Sequence, residues 1–357
     1  MFYHISFTKK DSKLIMVDIK SNSVPTFNEL VEFISQMPSI DAEAVSSVRE
    51  RNEQLLKPSG SLGKVEDIVE WVAGWQASYP PKINNITLSI FVSNHGTADT
   101  HKISPYPTSV TEALVKSFRS DHAVINQICK THNVGLQVFD LALEMPTKNI
   151  TENAAMTEND CITTILYGRE ALETSPDIIC LGEAGIGNTT IASSICAALY
   201  GGNTSDWVGI GTGADKEMIK TKIEVIEKSL KLHKSREPMK ILQCFGGREF
   251  AAIFGAILAA RFERIPVILD GFPVCAAAAL LHAISSDALD HCYVSHLSSE
   301  PGHERLLERI NKKPLVDFKM RLGEGSGAAM VAPIFQSSIN IHNNTSTFEE
   351  SSVPNKS

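Results

Sequence analysis

The sequence predicts an α/β fold, a Rossmann-like parallel sheet with flanking helices, joined to a small helical domain formed from both chain ends. Two observations carry this. From Ile86 onward, short apolar runs rich in β-branched residues alternate with longer stretches of helical character, the pattern of right-handed βαβ units around a parallel sheet. Several of those runs lead directly into glycine clusters, which is where strands of such a sheet hand over to helices and where ligands bind.

Taken in order, residues 1–27 read as an N-terminal extension. Met1 to Lys20 mixes Lys10, Asp11, Lys13 and Asp18 with short apolar patches. It therefore lacks the continuous apolar stretch of a signal peptide, and without arginine it makes a poor transit peptide. Residues 28–85 are assigned to the small helical domain, because 28–54 and 65–77 carry amphipathic helical spacing with no strand between them. The α/β domain is placed at 86–312. Its strands are expected at 86–92, 136–143, 177–181, 239–245, 267–269 and 292–296, with helices at 109–132, 157–173, 189–200, 215–233, 249–261 and 274–285. Residues 313–342 hold a glycine-rich loop and a last helix, from about 327, that returns to the small domain. Residues 343–357, rich in Asn, Ser, Thr and Glu, read as a polar tail.

With 357 residues, 43% hydrophobic and 21% charged, the chain can bury a substantial core. A formal net charge of -8 argues against nucleic-acid or anionic-membrane partners, which call for a basic surface. No window reaches the roughly 18 uncharged apolar residues of a membrane span. The seven cysteines lack CxxC spacing, and several lie in apolar runs. They read as reduced core residues, which places the protein in the cytoplasm. His291, Cys292, His296 and His303 are suitable metal ligands by type, but their spacing fits no tetrahedral zinc pattern. No metal and no cofactor is expected.

Five segments carry candidate chemistry. Gly182 to Thr190 enters a helix and suits one phosphate, through Gly185, Gly187 and Asn188, or serves as a plain helix-capping turn. It is not a nucleoside triphosphate loop, since Asn188 stands where GxxxxGK[ST] needs lysine, and Thr190 breaks the dinucleotide fingerprint. Gly209 to Gly213 precedes a helix carrying Lys216, Lys220 and Lys222, one of which can neutralise a phosphate. Asp270, after a strand, either binds a ribose hydroxyl or caps the next helix. Asn94-His95-Gly96 ends another strand, with His95 a ligand contact or a satisfied loop histidine. Finally, Arg321 to Gly327 sets Glu324 among three glycines. A carboxyl held there away from water gains a pKa near neutrality and works as a base; the plainer reading is a surface turn. No GxSxG elbow supports a hydrolase.

Taken together and in order, these segments resemble the nicotinate-nucleotide:dimethylbenzimidazole phosphoribosyltransferase family, over roughly residues 52–350. The resemblance begins at Leu56-Lys57-Pro58-Ser59-Gly60-Ser61-Leu62-Gly63-Lys64-Val65-Glu66 and continues through Ser104-Pro105-Tyr106-Pro107 with Val110-Thr111. It then takes in the two glycine loops, Leu269 to Phe272, Ser299-Glu300-Pro301-Gly302-His303 and Leu322 to Gly327. It implies a homodimer that moves phosphoribose from nicotinate mononucleotide to a benzimidazole-type base, with inversion at the anomeric carbon, in cobalamin lower-ligand synthesis. It also implies Glu324 as general base and Glu183 as the acid facing the sugar. Gly185, Gly187, Gly211, Gly325 and Lys222, with Asn188, Gly213 and Asp270, would hold phosphate and ribose. Ser104, Tyr106 and Leu322 would border the base.

The chain departs from the family pattern at three places. Asn94 stands for a frequent aspartate, Asp121-His122 for a Gly-Gly pair, and Glu112-Ala113-Leu114 where a glutamine follows Val-Thr. These leave the accepting base open among benzimidazoles, purines and phenols. A non-catalytic relative that binds a nucleotide or azole as sensor or carrier is the competing reading, and the retained Glu183 and Glu324 favour the enzyme.

Overall fold

The structure is a computed structural model, described for residues 24–354. Most of the N-terminal extension and the last three residues of the tail lie outside the described residues. In chain order the helices and strands are α1 (Phe27–Ile34), α2 (Ala42–Asn52), α3 (Lys64–Gln76), β1 (Ile86–Val92), α4 (Gly96–Thr100), α5 (Val110–Arg119), α6 (Val124–His132), β2 (Gly135–Asp140) and α7 (Glu158–Tyr167). There follow β3 (Ile178–Ala184), α8 (Asn188–Tyr200), α9 (Lys216–Leu232), α10 (Pro238–Phe245), α11 (Arg248–Phe262), β4 (Val267–Leu269) and α12 (Phe272–Ile284). The chain then forms β5 (Cys292–His296), α13 (Pro301–Arg309), β6 (Pro314–Val316) and α14 (Ser326–Asn344).

The six strands form one parallel sheet in the order β2-β1-β3-β4-β5-β6. The α/β expectation holds. Strands β1 and β3 are buried on both faces, so successive side chains feed opposite cores. Ile179 and Leu181 join the larger core with α7, α8, α10, α11 and α12. Ile178 and Cys180 join the second, beneath α2, α3, α6 and α14. Here the two chain ends meet: Leu56 N–H donates to Ser346 O at 2.9 Å, and His342 pairs with Asn52 at 2.9 Å. Helix α1 packs on the opposite face, with Phe27, Leu30 and Ile34 in the larger core.

Three expectations need correction. Residues 239–245 form helix α10, not a strand. Pro238 occupies the first helical turn, where its fixed φ and missing N–H cost nothing, and Met239, Leu242 and Phe245 recur at the spacing of one helix face. The sixth strand is β6, in the segment read as loop. Residues 109–132 form two helices, because Asp121 adopts a left-handed φ of 64° between them.

Candidate active site

A cavity of about 760 Å³ runs along the C-terminal ends of β3, β4, β5 and β6. The strand order explains its place. The chain winds outward to β2 on one side of β1 and to β3 on the other, and the crevice outside such a reversal is where parallel sheets bind ligands.

The segment from Met320 to Glu324 forms one wall. Gly323, Glu324 and Gly325 all have positive φ, of 80°, 63° and 74°. For Glu324 this is a conformation that L-residues avoid, and it persists only where the surroundings fix it. They do so here from two sides. Glu324 N–H donates to Glu183 O at 3.1 Å. The Asp270 carboxylate accepts from Gly325 N–H at 3.1 Å and from Ala328 N–H at 3.0 Å. Asp270 therefore caps α14, far along the chain, and not α12, whose N-cap Gly271 receives no side-chain bond. The loop also presses on β3, where a Cβ at Gly182 would stand 2.5 Å from Gly325 N. Burial, and secondarily the charge of Asp270, push the Glu324 carboxyl up to about 7.

Glu183 ends β3 with its side chain 2% exposed. Burial holds its carboxyl well above the usual range, reinforced by the charges of Asp270 and Glu249 and opposed by the hydrogen bond from the Asn188 amide. A cation arriving in the cavity would favour its ionised form.

Another part of the wall is the start of α8, whose N-cap Gly187 has φ 94° and no capping side chain. Asn188 is already spent on Glu183. In the 209–213 loop, Gly211 N–H donates to Glu300 Oε1 at 2.8 Å, Gly211 O accepts from Arg321 at 2.8 Å, and Gly213 N–H donates to Ile210 O at 2.9 Å. Buried Lys222 joins the two glycine loops, with Nζ 3.0 Å from Gly209 O and 3.3 Å from Thr189 Oγ1. Burial lowers its pKa while Glu300 opposes the shift.

Residues 37–353 match a family described as "Phosphoribosyltransferase". The chain is 47% identical, over 329 residues, to the nicotinate-nucleotide–dimethylbenzimidazole phosphoribosyltransferase of Brucella abortus, covering 92% of this chain and 97% of that protein. The chain belongs to the nicotinate-nucleotide–dimethylbenzimidazole phosphoribosyltransferase family. A protein of the same name from Sinorhizobium fredii is 46% identical over 332 residues, with 92% and 98% covered. Among solved structures, CobT from Thermus thermophilus superposes with a TM-score of 0.80 at 31% identity, covering 88% of this chain and all of that one.

Of the candidate site residues expected from the sequence, Glu183, Gly185, Asn188, Gly211, Tyr106, Leu322 and Glu324 form part of the cavity wall. Ser104, Gly187, Gly213, Lys222, Asp270 and Gly325 do not. They support it instead: Ser104 Oγ, for example, accepts from Tyr106 N–H at 3.2 Å and so holds the loop that presents Tyr106. His95 lies behind the wall, 2.7 Å from Glu249, with the Ser93 hydroxyl on the other carboxylate oxygen. His291 meets Ile257 O at 2.9 Å. His303 Nδ1 accepts from Ser298 N–H at 2.9 Å, and burial drives its pKa down to about 3, with His296 contributing. Among the described residues no group of three or more His, Cys, Asp or Glu side chains is arranged to hold a metal ion.

Sequence reasoning gave no site role to Glu300, Arg321 or Phe272 and weighed His296 only as a metal ligand, yet all four are on the wall. Only Glu300 carries a local signal, since it directly precedes Pro301 at the start of α13, a position that marks a helix start but says nothing of burial.

Proposed function

We propose that this cavity transfers 5-phosphoribose from nicotinate mononucleotide to 5,6-dimethylbenzimidazole or a related base, releasing nicotinate and forming α-ribazole 5′-phosphate for the cobalamin lower ligand. The observation that carries the residue-level reading is Glu324, a carboxyl pushed up to about 7 on the wall of the cavity.

The chemistry asks for one base and no acid. In nicotinate mononucleotide the ring nitrogen is a cationic pyridinium, so the bond from the anomeric carbon breaks with its electron pair going to that nitrogen, and nicotinate leaves with a neutral ring and no need of a proton. One nitrogen of the incoming base attacks that carbon from the opposite face. Its other nitrogen must then lose a proton, which Glu324 takes; a carboxyl with a pKa near the working pH is suited to that transfer. Glu183 stabilises the cation-like sugar in the transition state. The uncapped start of α8 receives the phosphate, aided by its positive end. The flat base lies between Tyr106, Val110, Leu114 and Leu322, an apolar stretch of wall.

The enzyme works as a homodimer in the cytoplasm, a reading supported by the family resemblance and by cysteines that are all free, with Cys244 half-buried and the others buried. Sedimentation velocity tests the dimer.

The reaction is tested by mixing purified protein with nicotinate mononucleotide and a panel of bases and following nicotinate release. Release with at least one benzimidazole is expected, and none with any base would sink the assignment. Glu324→Gln should lose ~10²- to 10⁴-fold in kcat. Full activity in that variant would remove Glu324 from its role.

A further inference from the structure

Glu300 has one carboxylate oxygen in use and one waiting. It stands just ahead of α13, 4% exposed, on the cavity wall. Oε1 accepts the Gly211 N–H at 2.8 Å. Oε2 is buried and has no hydrogen-bond partner among the described residues. Gly209 lets the backbone pack directly against it, since a Cβ at that position would collide with Oε2. Buried carboxylate oxygens are normally satisfied, so an orphan on a ligand cavity points to a donor that arrives with the ligand. Burial raises the Glu300 pKa, while Lys222, the Gly211 amide and Arg321 pull it back toward the ionised form.

The substrates narrow what that donor can be. In nicotinate mononucleotide the phosphate and the carboxylate are anionic acceptors, and the substituted pyridinium nitrogen bears no proton. The incoming base has one N–H, whose proton passes to Glu324. What remains are the two ribose hydroxyls. We infer that Glu300 Oε2 accepts a hydrogen bond from a ribose hydroxyl of the bound phosphoribosyl donor. Glu300 is thereby a substrate-binding residue that also fixes the 209–213 loop through Gly211. This rests on the phosphoribosyl-donor reading above.

The test compares kcat/KM for nicotinate mononucleotide and for its 2′-deoxy and 3′-deoxy forms on the unaltered protein, Glu300→Gln and Glu300→Ala. A hydrogen bond to a charged acceptor should make loss of the contacted hydroxyl cost about tenfold or more in the unaltered protein. In Glu300→Ala that penalty should shrink to within about twofold, with Glu300→Gln between, because the two deletions then remove the same contact. Glu300→Gln keeps an acceptor for Gly211 N–H, so it decides the matter if the alanine variant fails to fold. A purely structural Glu300 would lower activity on all three substrates by one common factor, and an unchanged deoxy penalty across the proteins would overturn the inference. If the unaltered protein does not turn over nicotinate mononucleotide at all, the donor reading itself falls, and that result is distinct from the uniform loss.

Discussion

A carboxyl that accepts a proton near neutrality must be poorly stabilised as an anion before substrate arrives, and Glu324 shows how three features achieve this. Burial removes water, Asp270 adds a like charge, and the left-handed backbone holds the side chain where neither can be escaped. The sign of the consequence for stability follows from the shift. The folded value of about 7 lies above the ordinary 4.5, so between those pH values the folded chain binds the proton more tightly than the unfolded one. Stability from this group is full below about pH 4.5, falls through the interval, and above pH 7 is lower by about 3 kcal/mol. Glu324→Gln removes the ionisation. Urea denaturation should show the variant more stable than the unaltered protein by about 2–3 kcal/mol at pH 8 and no different at pH 4.5. A gain equal at both values would mean the carboxylate is not under electrostatic stress. The same group sets the rate: kcat/KM should rise with pH and level off, with a midpoint near 7, and a profile flat from pH 5.5 to 8.5 would contradict it.

At the scale of elements, what could be read from the sequence depended on whether a signal was local. Strands β1, β3, β4 and β5 announce themselves as apolar β-branched runs, and the glycine loops follow them in order. Residues 239–245 misled because a seven-residue apolar run is too short to display its period, and only Pro238 hinted at a helix start. Glu324 drew notice by its setting among glycines and Glu183 only through the family resemblance, and both lie on the cavity wall. Asp270 was half legible: its capping role was anticipated, but the helix it caps begins 56 residues later, which no local pattern reveals. Glu300 was illegible as a site residue, since its burial is set by Gly209 and Gly211 on another segment. The contact between β3 and the Glu324 loop is likewise non-local, and it can be tested at Gly182. A methyl group there would stand 2.5 Å from Gly325 N and 2.6 Å from Gly325 Cα, both backbone atoms that cannot rotate away. Gly182→Ala should therefore cost about 1–3 kcal/mol in urea denaturation and roughly 10²-fold in kcat/KM, because the base is displaced by a fraction of an ångström or more. Unchanged kinetics would show that the loop tolerates the shift.

At the scale of the whole molecule, the base slot draws on segments more than two hundred residues apart: Tyr106 and α5 on one side, the 320–322 loop on the other. On the proposed reading, the sheet holds the phosphoribosyl donor at its strand ends while the slot for the acceptor varies with the side chains of α5. In this chain those side chains are apolar where they face the cavity, Val110 and Leu114. The glutamine of the family pattern is missing from Glu112-Ala113-Leu114, and Glu112 turns to solvent and pairs with Lys116 at 2.7 Å. An apolar slot ranks flat bases by the area they bury and by the polar groups they must strip of water, and it lacks the fixed donors and acceptors that give steep discrimination. Each methyl of 5,6-dimethylbenzimidazole should thus be worth about tenfold or less in kcat/KM. Adenine, which carries polar edges into the slot, should trail the dimethyl base by no more than roughly 10²-fold. The measurement is kcat/KM for benzimidazole, its 5-methyl and 5,6-dimethyl forms and adenine, at fixed saturating nicotinate mononucleotide. A dimethyl-to-adenine ratio of about 10⁴ or more would require hydrogen-bonding groups that the α5 face does not present, and would place the selectivity elsewhere than in the α5 side chains.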